Sequence, residues 1–528
     1  MPPHSFSFMA ILAKLLKKGI GLRESLDQHY SSPIELQKLE LKKLLIAARN
    51  TMFGKSNYFE TILNGFKIQD PDSFYQFFKS NIPIYDYDKI YGEWWYKSRD
   101  GEKNVCWPGK VKYFALSSGT AGSTSKYIPV TAEMVKSIQR TSVRQILTLS
   151  KYELPPQFYG TGILMVGGST DLKYNGKYFE GDLSGITAGQ LPFWFQHFYK
   201  PGKRIAKTAN WEDKLNEMVI KAKHWDIGII VGVPAWIQIL IERILDHYRI
   251  NHIHELWPNL EIFVHGGVSF EPYKKGFRKL LGKELIYMET YLASEGFIAF
   301  KSIPGSQTMR MVLNNGIFYE FIPFNAQNFD SNGDLRENPQ TLKIDQVEQD
   351  VEYALLLSTN AGSWRYLIGD VIKFKSVRDC EIVITGRTKH FLSLCGEHLS
   401  MDNMNKAVEL TASSLNIDVK EFTVCGEKLE TMFAHRWYIG TNNAVDSEVF
   451  KVTIDECLKK LNDDYCVERS AALRDIFVEV IPESIFYNWL KSQGKAGGQT
   501  KFPRVLKNEK LSSWKTFVTE SLGKMTLK

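Results

Sequence analysis

The chain has 528 residues, of which 44% are hydrophobic, 13% aromatic and 24% charged. That mixture argues against disordered, collagen-like and coiled-coil classes, and the length favours at least two domains over a single core. Lys and Arg number 66 against 59 Asp and Glu, a net charge of +7, which permits an anionic ligand but points to neither nucleic acid nor a membrane surface.

Six cysteines without a C-x-x-C pair disfavour a disulfide scaffold or a structural zinc site and fit a reducing cytoplasm. Near the start, the apolar run Phe6 to Leu12 precedes Lys14, Lys17 and Lys18, the reverse of a secretory signal. Ser31, Ser32 and Pro33 open a predicted helix through Ala48, with Leu36, Leu39, Leu41, Leu44 and Leu45 as its apolar face. From Val111 onward, short apolar runs lead into glycine-rich turns and then helical patterns: Lys112 to Leu116, Gly162 to Val166, Ile227 to Val231 and Glu261 to Val264. Strand, glycine turn and helix in repetition predict an α/β fold with mostly parallel sheets, whose ligands collect at the strands' carboxyl ends. The most apolar stretch, Ile227 to Ile241, contains Gly228, Gly232 and Pro234 and is too short to span a bilayer. A β-rich subdomain follows over Met309 to Phe374, and a smaller, mobile α+β C-terminal domain begins after Arg387. The predicted division is a large body over residues 1–387 and a cap over 388–528.

The segment Ser117-Ser118-Gly119-Thr120-Ala121-Gly122-Ser123-Thr124-Ser125-Lys126 combines small residues, hydroxyls and a lysine. Successive N–H groups in such a loop can form a nest for polyphosphate, although a flexible surface loop has a similar composition. It is not the Walker loop: the only Gly-Lys-Ser, at Gly54, has Arg49 where the first glycine belongs. Four further segments follow in order: Tyr291-Leu292-Ala293-Ser294-Glu295-Gly296; Ser363 to Asp370; Gly386-Arg387-Thr388-Lys389-His390-Phe391 with Gly396-Glu397-His398; and Gln499-Thr500-Lys501-Phe502-Pro503-Arg504. Together these resemble the ordered motifs of the adenylate-forming superfamily of acyl-CoA synthetases, peptide-synthetase adenylation domains and luciferases. The extra residue before Lys126 resembles the Gretchen Hagen branch, the auxin-responsive acyl acid amido synthetases of plants and their bacterial relatives, and the chain reads as a bacterial-type member.

The resemblance implies an enzyme that uses ATP and Mg²⁺. Lys501, Lys126, Glu295 and Arg387 are implied as catalytic. ATP is implied to lie against Ser117, Ser118, Gly119, Thr120, Gly122, Lys126, Gly266, Gly267, Tyr291, Ser294, Tyr366, Asp370 and Arg387. Glu295, in a loop, is the implied magnesium ligand, although a lone loop Glu is more often simply solvated. Asp370, taken to end a strand after Gly369, is implied to accept the ribose hydroxyls, although Gly-Asp is also a common turn. Lys501 is implied to swing into the cleft with the cap, and taken alone it is an ordinary surface lysine. Lys389 and His390 are read as positional. Gly168, Ser169, Val233, Pro234 and Trp236 are the expected walls of the acyl pocket, with Phe193, Trp194 and Phe195 as possible additions. Trp364 and Leu367 replace residues often polar or tyrosine in the plant motif, which predicts different packing on the nucleotide.

The implied reaction makes an acyl-adenylate from a carboxylic acid, releasing pyrophosphate, and then an amide with an amine, an amino acid being the expected acceptor. The expected partners are those small molecules alone, for a monomeric cytoplasmic enzyme that binds neither nucleic acid nor membrane. Two alternatives stay open: an acyl-CoA ligase forming a thioester from the same adenylate, and a non-catalytic nucleotide-binding scaffold.

Overall fold

Eighteen strands form three sheets. In chain order they are β1 (Tyr113–Ser117), β2 (Lys126–Val130), β3 (Gly162–Val166), β4 (Lys173–Tyr174), β5 (Phe179–Gly181), β6 (Tyr199–Lys200), β7 (Ile227–Gly232), β8 (Ile262–Gly266) and β9 (Ile286–Ala293). There follow β10 (Gly296–Phe300), β11 (Met309–Met311), β12 (Ile317–Pro323), β13 (Glu352–Thr359), β14 (Tyr366–Ser376), β15 (Glu381–Arg387), β16 (Glu421–Lys428), β17 (Phe433–Gly440) and β18 (Leu473–Ile481). The computed structural model describes residues 32–526 apart from 69, 71, 118–125, 192, 268–269, 271–272, 331–332, 389–391, 393, 395–398, 400, 430–432, 463–464, 467–468, 470–472 and 495–501, and these strands are counted among the described residues.

The largest sheet has eleven strands in the order β12-β13-β14-β15-β11-β10-β9-β8-β7-β3-β6. From β6 to β9 all neighbours are parallel, and from β9 to β12 all are antiparallel. The predicted parallel core and β-rich subdomain are therefore two halves of one sheet. β7, Ile-Gly-Ile-Ile-Val-Gly, is buried along its first four residues, as expected of a parallel strand covered on both faces. The covering helices α4 (Trp211–Lys221) and α5 (Pro234–Tyr248) interlock through Trp211, Leu215, Met218, Ile237, Leu240, Ile241 and Ile244. Those positions recur at three- and four-residue spacing, the signature of an amphipathic helix.

Three further helices are needed to follow the body: α1 (Pro33–Ala48), α2 (Ala132–Leu147) and α3 (Leu183–Ala188). α1 buries Leu41, Leu44 and Leu45 as expected, but Leu39 is 49% exposed. In its place the helix turns two polar side chains inward: Gln37 Nε2 donates to the Leu313 and Ile317 carbonyls, and its Oε1 accepts from the Tyr319 N–H at 2.7 Å. Glu40 Oε1 accepts from the Gly316 N–H at 2.9 Å. The bonds to Ile317 and Tyr319 occupy part of the outer edge of β12, which would otherwise offer unpaired backbone groups there.

A second sheet, β2-β1-β5-β4, stands beside the large one. β1 and β2 are antiparallel with Ser117 opposite Lys126. The small domain carries the third sheet, β16-β17-β18. The helices α7 (Met401–Ser414) and α8 (Ser447–Leu461) pack on it through Met404, Val408, Phe450, Ile454 and Leu458. Chain order places α6 (Lys274–Leu280) in the body, and α9 (Glu483–Ser492) and α10 (Asn508–Thr526) at the end of the small domain. Among the described residues no helix is long and apolar enough to cross a membrane.

A buried ion pair holds the start of β14. Arg365 lies just before the strand with φ of +41°, a left-handed conformation that a side chain disfavours. Its Nε and Nη2 each reach a Glu320 oxygen at 2.9 Å, and its Nη1 donates to the Ile82 carbonyl at 2.8 Å. Tyr75 donates its hydroxyl proton to the same Glu320 carboxylate. Replacing Arg365 by Met leaves Glu320 buried and uncompensated, an expected loss of about 3–5 kcal/mol, read as a lower urea midpoint. Adding Glu320→Leu to that variant is expected to recover most of the loss.

Candidate active site

A cavity of about 1400 Å³ opens at the carboxyl ends of β3, β7, β8 and β9 and is closed by the small domain through Trp489, Phe502 and Arg504. Its charged centre is assembled from three strands. β9 and β10 form a hairpin in which Ala293 pairs with Gly296, so Ser294 and Glu295 are the whole two-residue turn, not part of a loop. β14 carries a bulge: while β13 advances from Ala354 to Leu356, β14 runs from Val371 back to Leu367. Gly369, with φ of +84°, lies in it, a conformation glycine adopts without strain. Asp370 thus sits inside a strand, re-aimed by a bulge, and does not end one as the sequence suggested. Directly across the ladder it faces Arg387, the last residue of β15.

Asp370 is held at both oxygens. Tyr291 donates its hydroxyl proton to Oδ2 at 2.5 Å, and Arg387 Nε lies 3.0 Å from Oδ1. A second Arg387 nitrogen donates to the Ile368 carbonyl at 2.8 Å. Tyr366 is buried with its ring 5.3 Å from that of Trp95; burial first, then the Glu295 charge, raises its hydroxyl well above the ordinary range. Glu295 is 9% exposed. Burial, then the Asp370 carboxylate, pushes its carboxyl up to about 7, while the charges of Arg387 and Lys126 pull the other way. Lys126, at the start of β2, lines the same space with its ammonium 5.3 Å from the centre of the Tyr87 ring.

Tyr291, Ser294, Glu295, Tyr366, Asp370, Arg387, Lys126, Gly266 and Gly267 all line the cavity. Of the phosphate-loop residues, Ser117 is placed only by its backbone, opposite Lys126. Ser118, Gly119, Thr120 and Gly122 lie outside the described residues, as do Lys389, His390 and Lys501. The chain immediately after Lys501 lines the cavity through Phe502, Pro503 and Arg504.

The expected acyl walls divide. Gly168 and Val233 line the cavity, whereas Ser169, Pro234 and Trp236 do not. Ser169 is turned outward, its hydroxyl bonded to the Lys207 carbonyl at 2.9 Å. Pro234 opens α5, and Trp236 packs edge-on against Trp211 at 4.6 Å between α5 and α4. Phe195 lines the cavity, while the side chains of Phe193 and Trp194 lie outside the described ones. Trp364 is fully buried away from the cavity, stacked on Phe53 and donating from Nε1 to the Cys106 carbonyl at 3.1 Å. Leu367 packs in the cluster of Ile322, Ala354 and Leu356. Neither therefore alters a nucleotide contact as expected; both are core residues.

Among the lining residues that escaped the sequence reading are Asp182 and Lys214. Lys214 had a visible signal. It interrupts the apolar stripe of α4 between Trp211 and Met218, and a lysine in a buried stripe needs a reason.

The GH3 family N-terminal domain matches residues 22–222 and 174–286, the GH3 central domain residues 310–387 and the GH3 C-terminal domain residues 402–510. Jasmonoyl–L-amino acid synthetase JAR4 of Nicotiana attenuata is 29% identical over 181 residues, 32% of this chain and 30% of its own length. A probable indole-3-acetic acid-amido synthetase, GH3.9 of Oryza sativa subsp. japonica, is 23% identical over 239 residues, 43% of this chain and 51% of its own. The matched stretch thus spans about a third to a half of these curated relatives. Among solved structures, the AtGH3.15 acyl acid amido synthetase in complex with 2,4-DB superposes with a TM-score of 0.74 at 17% identity, covering 95% of this chain and 96% of that one. A 2-hydroxyisobutyryl-CoA ligase in its postadenylation state superposes with a TM-score of 0.57 at 11% identity, covering 93% and 90%. The fold is therefore that of adenylate-forming enzymes.

Glu295 gives the site a pH signature. Its carboxyl titrates near 7 in the fold against an ordinary 4.5, so its protonated form favours the fold. That contribution is complete below about pH 4.5 and is lost as pH rises through 7, a change on the order of 3 kcal/mol. Glu295→Gln, which keeps the neutral form, is expected to gain stability over the parent by about that amount between pH 5 and pH 8. Urea unfolding of the ligand-free proteins at the two pH values measures it, and equal slopes would remove the assignment.

Proposed function

Because the chain belongs to the GH3 family, with all three family domains matched in order, we propose that it is an ATP-dependent acyl acid amido synthetase joining a carboxylic acid to an amino acid. The observation that carries this reading is one cavity lined both by Lys126, Glu295, Asp370 and Arg387 and by apolar side chains such as Met165, Leu191 and Phe195. The names of the relatives, jasmonoyl and indole-3-acetic acid amido synthetases, support the same pairing of substrates.

In the first half-reaction a carboxylate oxygen of the acid attacks the α-phosphorus of ATP. The bond to pyrophosphate breaks and an acyl-adenylate forms. In the second, the amine nitrogen attacks the acyl carbon, the bond to the AMP oxygen breaks, and the nitrogen gives up a proton. The segment from Ser117 through Ser118, Gly119, Thr120 and Gly122 to Lys126 is assigned to the phosphates, where backbone N–H groups and an ammonium stabilise spreading negative charge. Asp370 and Arg387 are assigned to the ribose and α-phosphate, Gly266 and Gly267 to the flank of the adenine, and Tyr291, Ser294 and Tyr366 to the remaining nucleotide surface. Arg387 is also the proposed hinge between residues 1–387 and 388–528.

Magnesium fits the site: Glu295 is a buried carboxylate whose proton affinity is raised beside a second carboxylate, an environment relieved by a cation. Glu295 would hold the ion together with phosphate oxygens, the usual arrangement for Mg²⁺, and when bound it supplies charge neutralisation on those oxygens. The small domain excludes water from the adenylate, and Lys501 is the group proposed to reach the α-phosphate in adenylation.

Lys501→Ala is expected to slow acid-dependent pyrophosphate release by about 10²–10³-fold, the range for removing one preorganised charge contact. An unaltered rate would remove Lys501 from the mechanism. Mass spectrometry of the parent incubated with ATP, an acid, mixed amino acids and CoA should show an amide; a thioester would favour the CoA-ligase reading.

A further inference from the structure

A segment outside the five motifs ties β14 to Lys126. Tyr85 adds a parallel rung beside the start of β14: its N–H donates to the Arg365 carbonyl at 2.9 Å, and its carbonyl accepts from the Leu367 N–H at 2.8 Å. The chain then enters a helical run through Tyr87–Ile90, Tyr91–Trp95 and Tyr96–Arg99, of which Tyr91–Trp95 is wound as a π-helix. Tyr87, Tyr91, Trp95 and Arg99 recur at every fourth residue. The wider π turn offsets the drift that this spacing accumulates in an α-helix, and the four side chains make one face.

That face is applied to the start of β2, where Tyr87 makes two contacts. Its hydroxyl accepts from the Tyr127 N–H at 2.9 Å, and its ring centre lies 5.3 Å from the Lys126 ammonium. At that distance a cation is drawn to the ring's negative face. The ring is itself held: Tyr91 stacks on it at 5.5 Å, and Trp95 meets it edge-on at 6.2 Å while lying 5.3 Å from the Tyr366 ring. Arg99 closes the far end of the face. Its guanidinium lies 3.7 Å from the centre of the Tyr127 ring and donates to the hydroxyls of Tyr91 and Tyr178, each at 2.6 Å.

Lys126 and Tyr366 line the cavity, and Tyr87 does not. Tyr87 therefore acts on a ligand through its neighbours. A lysine places its charge on a flexible four-carbon stem, and rotamer freedom is lost when the ammonium is put to use. Holding the ammonium in advance removes part of that cost from the step in which phosphate charge spreads.

We propose that Tyr87 is a positioning residue for ATP binding and adenylation, holding Lys126 through the ring at its ammonium and through the hydroxyl at the following backbone N–H. This inference rests on the amido synthetase reading, in which Lys126 meets the phosphates, and extends that site to a residue outside the cavity.

The test is a double-mutant cycle between positions 87 and 126. It is read twice, as kcat/KM for acid-dependent pyrophosphate release and as ATP affinity by calorimetry without acid. Tyr87→Leu is expected to lower both about tenfold in the parent, the scale of one cation–ring contact, and less than about twofold in Lys126→Met, because coupled positions are not additive. Where Tyr87→Leu folds poorly, Tyr87→Phe and the same variant with a trifluorinated ring carry the test, since fluorine drains the ring face of charge and largely keeps its shape. Fluorination should cost several-fold beside Lys126 and nothing beside Lys126→Met. A purely structural Tyr87 would lose as much in Lys126→Met as in the parent and would be indifferent to fluorine; either result overturns the inference, as does a Tyr87→Leu variant with undiminished activity. A parent that binds ATP yet releases pyrophosphate with no acid refutes the amido synthetase reading, while the affinity cycle still decides the role of Tyr87. A parent that binds no ATP sinks both.

Discussion

The carboxylate of Asp370 closes the large sheet on itself. β9, which carries Tyr291, and β14, which carries Asp370, are four positions apart in the strand order, about 19 Å if the sheet were flat. A hydrogen bond of 2.5 Å between their side chains requires the antiparallel half to curl over, as twisted sheets do when they approach closure. Arg387 completes the knot from β15. The parallel half supplies strand ends to a ligand, as any doubly wound sheet does, and the curled half brings charged groups to the same place. Without that curl, Glu295 and Asp370 would belong to different surfaces.

Bringing them together has an electrostatic consequence. Asp370 has partners for both oxygens, whereas Glu295 shares the enclosed space with it and has its proton affinity raised by burial and by that neighbour. A site with such a carboxylate attracts positive charge, and in this cavity it lies beside Lys126 and Arg387. The cations oppose the burial penalty without cancelling it. Preorganised groups of this kind cost stability in the empty state and act when a charged ligand arrives.

The sequence was legible where local pattern decides. The helix ending at Ala48 and the strands beginning at Gly162 and Ile227 all fall where apolar spacing put them. Motif residues from Tyr291 to Arg387 reach one cavity because strand ends are placed by the sheet's connectivity. What failed depended on three-dimensional context. Trp236 follows a glycine-proline turn as a pocket residue would, yet helical phase turns it toward Trp211. Trp364 lies among motif residues, but the left-handed backbone of Arg365 next to it and the buried Glu320 pair send the strand's start into the core. Asp182 and Lys214 are 32 residues apart in numbering, and only packing of α4 beneath the turn after β3 makes them a pair.

The seating of the small domain follows from the same distinction between buried and exposed charge. Lys491 reaches Glu212 at 3.3 Å, an exposed pair of the kind worth about 0–1 kcal/mol, while Lys420 reaches Glu242 at 3.0 Å and Lys279 pairs with Asp418, with Lys420 and Asp418 largely buried. The buried contact is different: Tyr273 of the body donates to Glu421 Oε1 at 2.9 Å, and Arg504 holds the other oxygen. Glu421 and Arg504 both belong to the small domain, so parting the domains would separate them from Tyr273 but not from each other. Among the described residues Lys420 would keep Glu483 as a counter-ion, whereas Asp418 would lose Lys275 and Lys279, so opening costs those pairs together with the Tyr273 hydrogen bond and apolar contact. Arg504 itself lines the cavity three residues after Lys501. The buried pair therefore keeps the end of the lysine segment on the small domain, whether or not that domain is seated on the body.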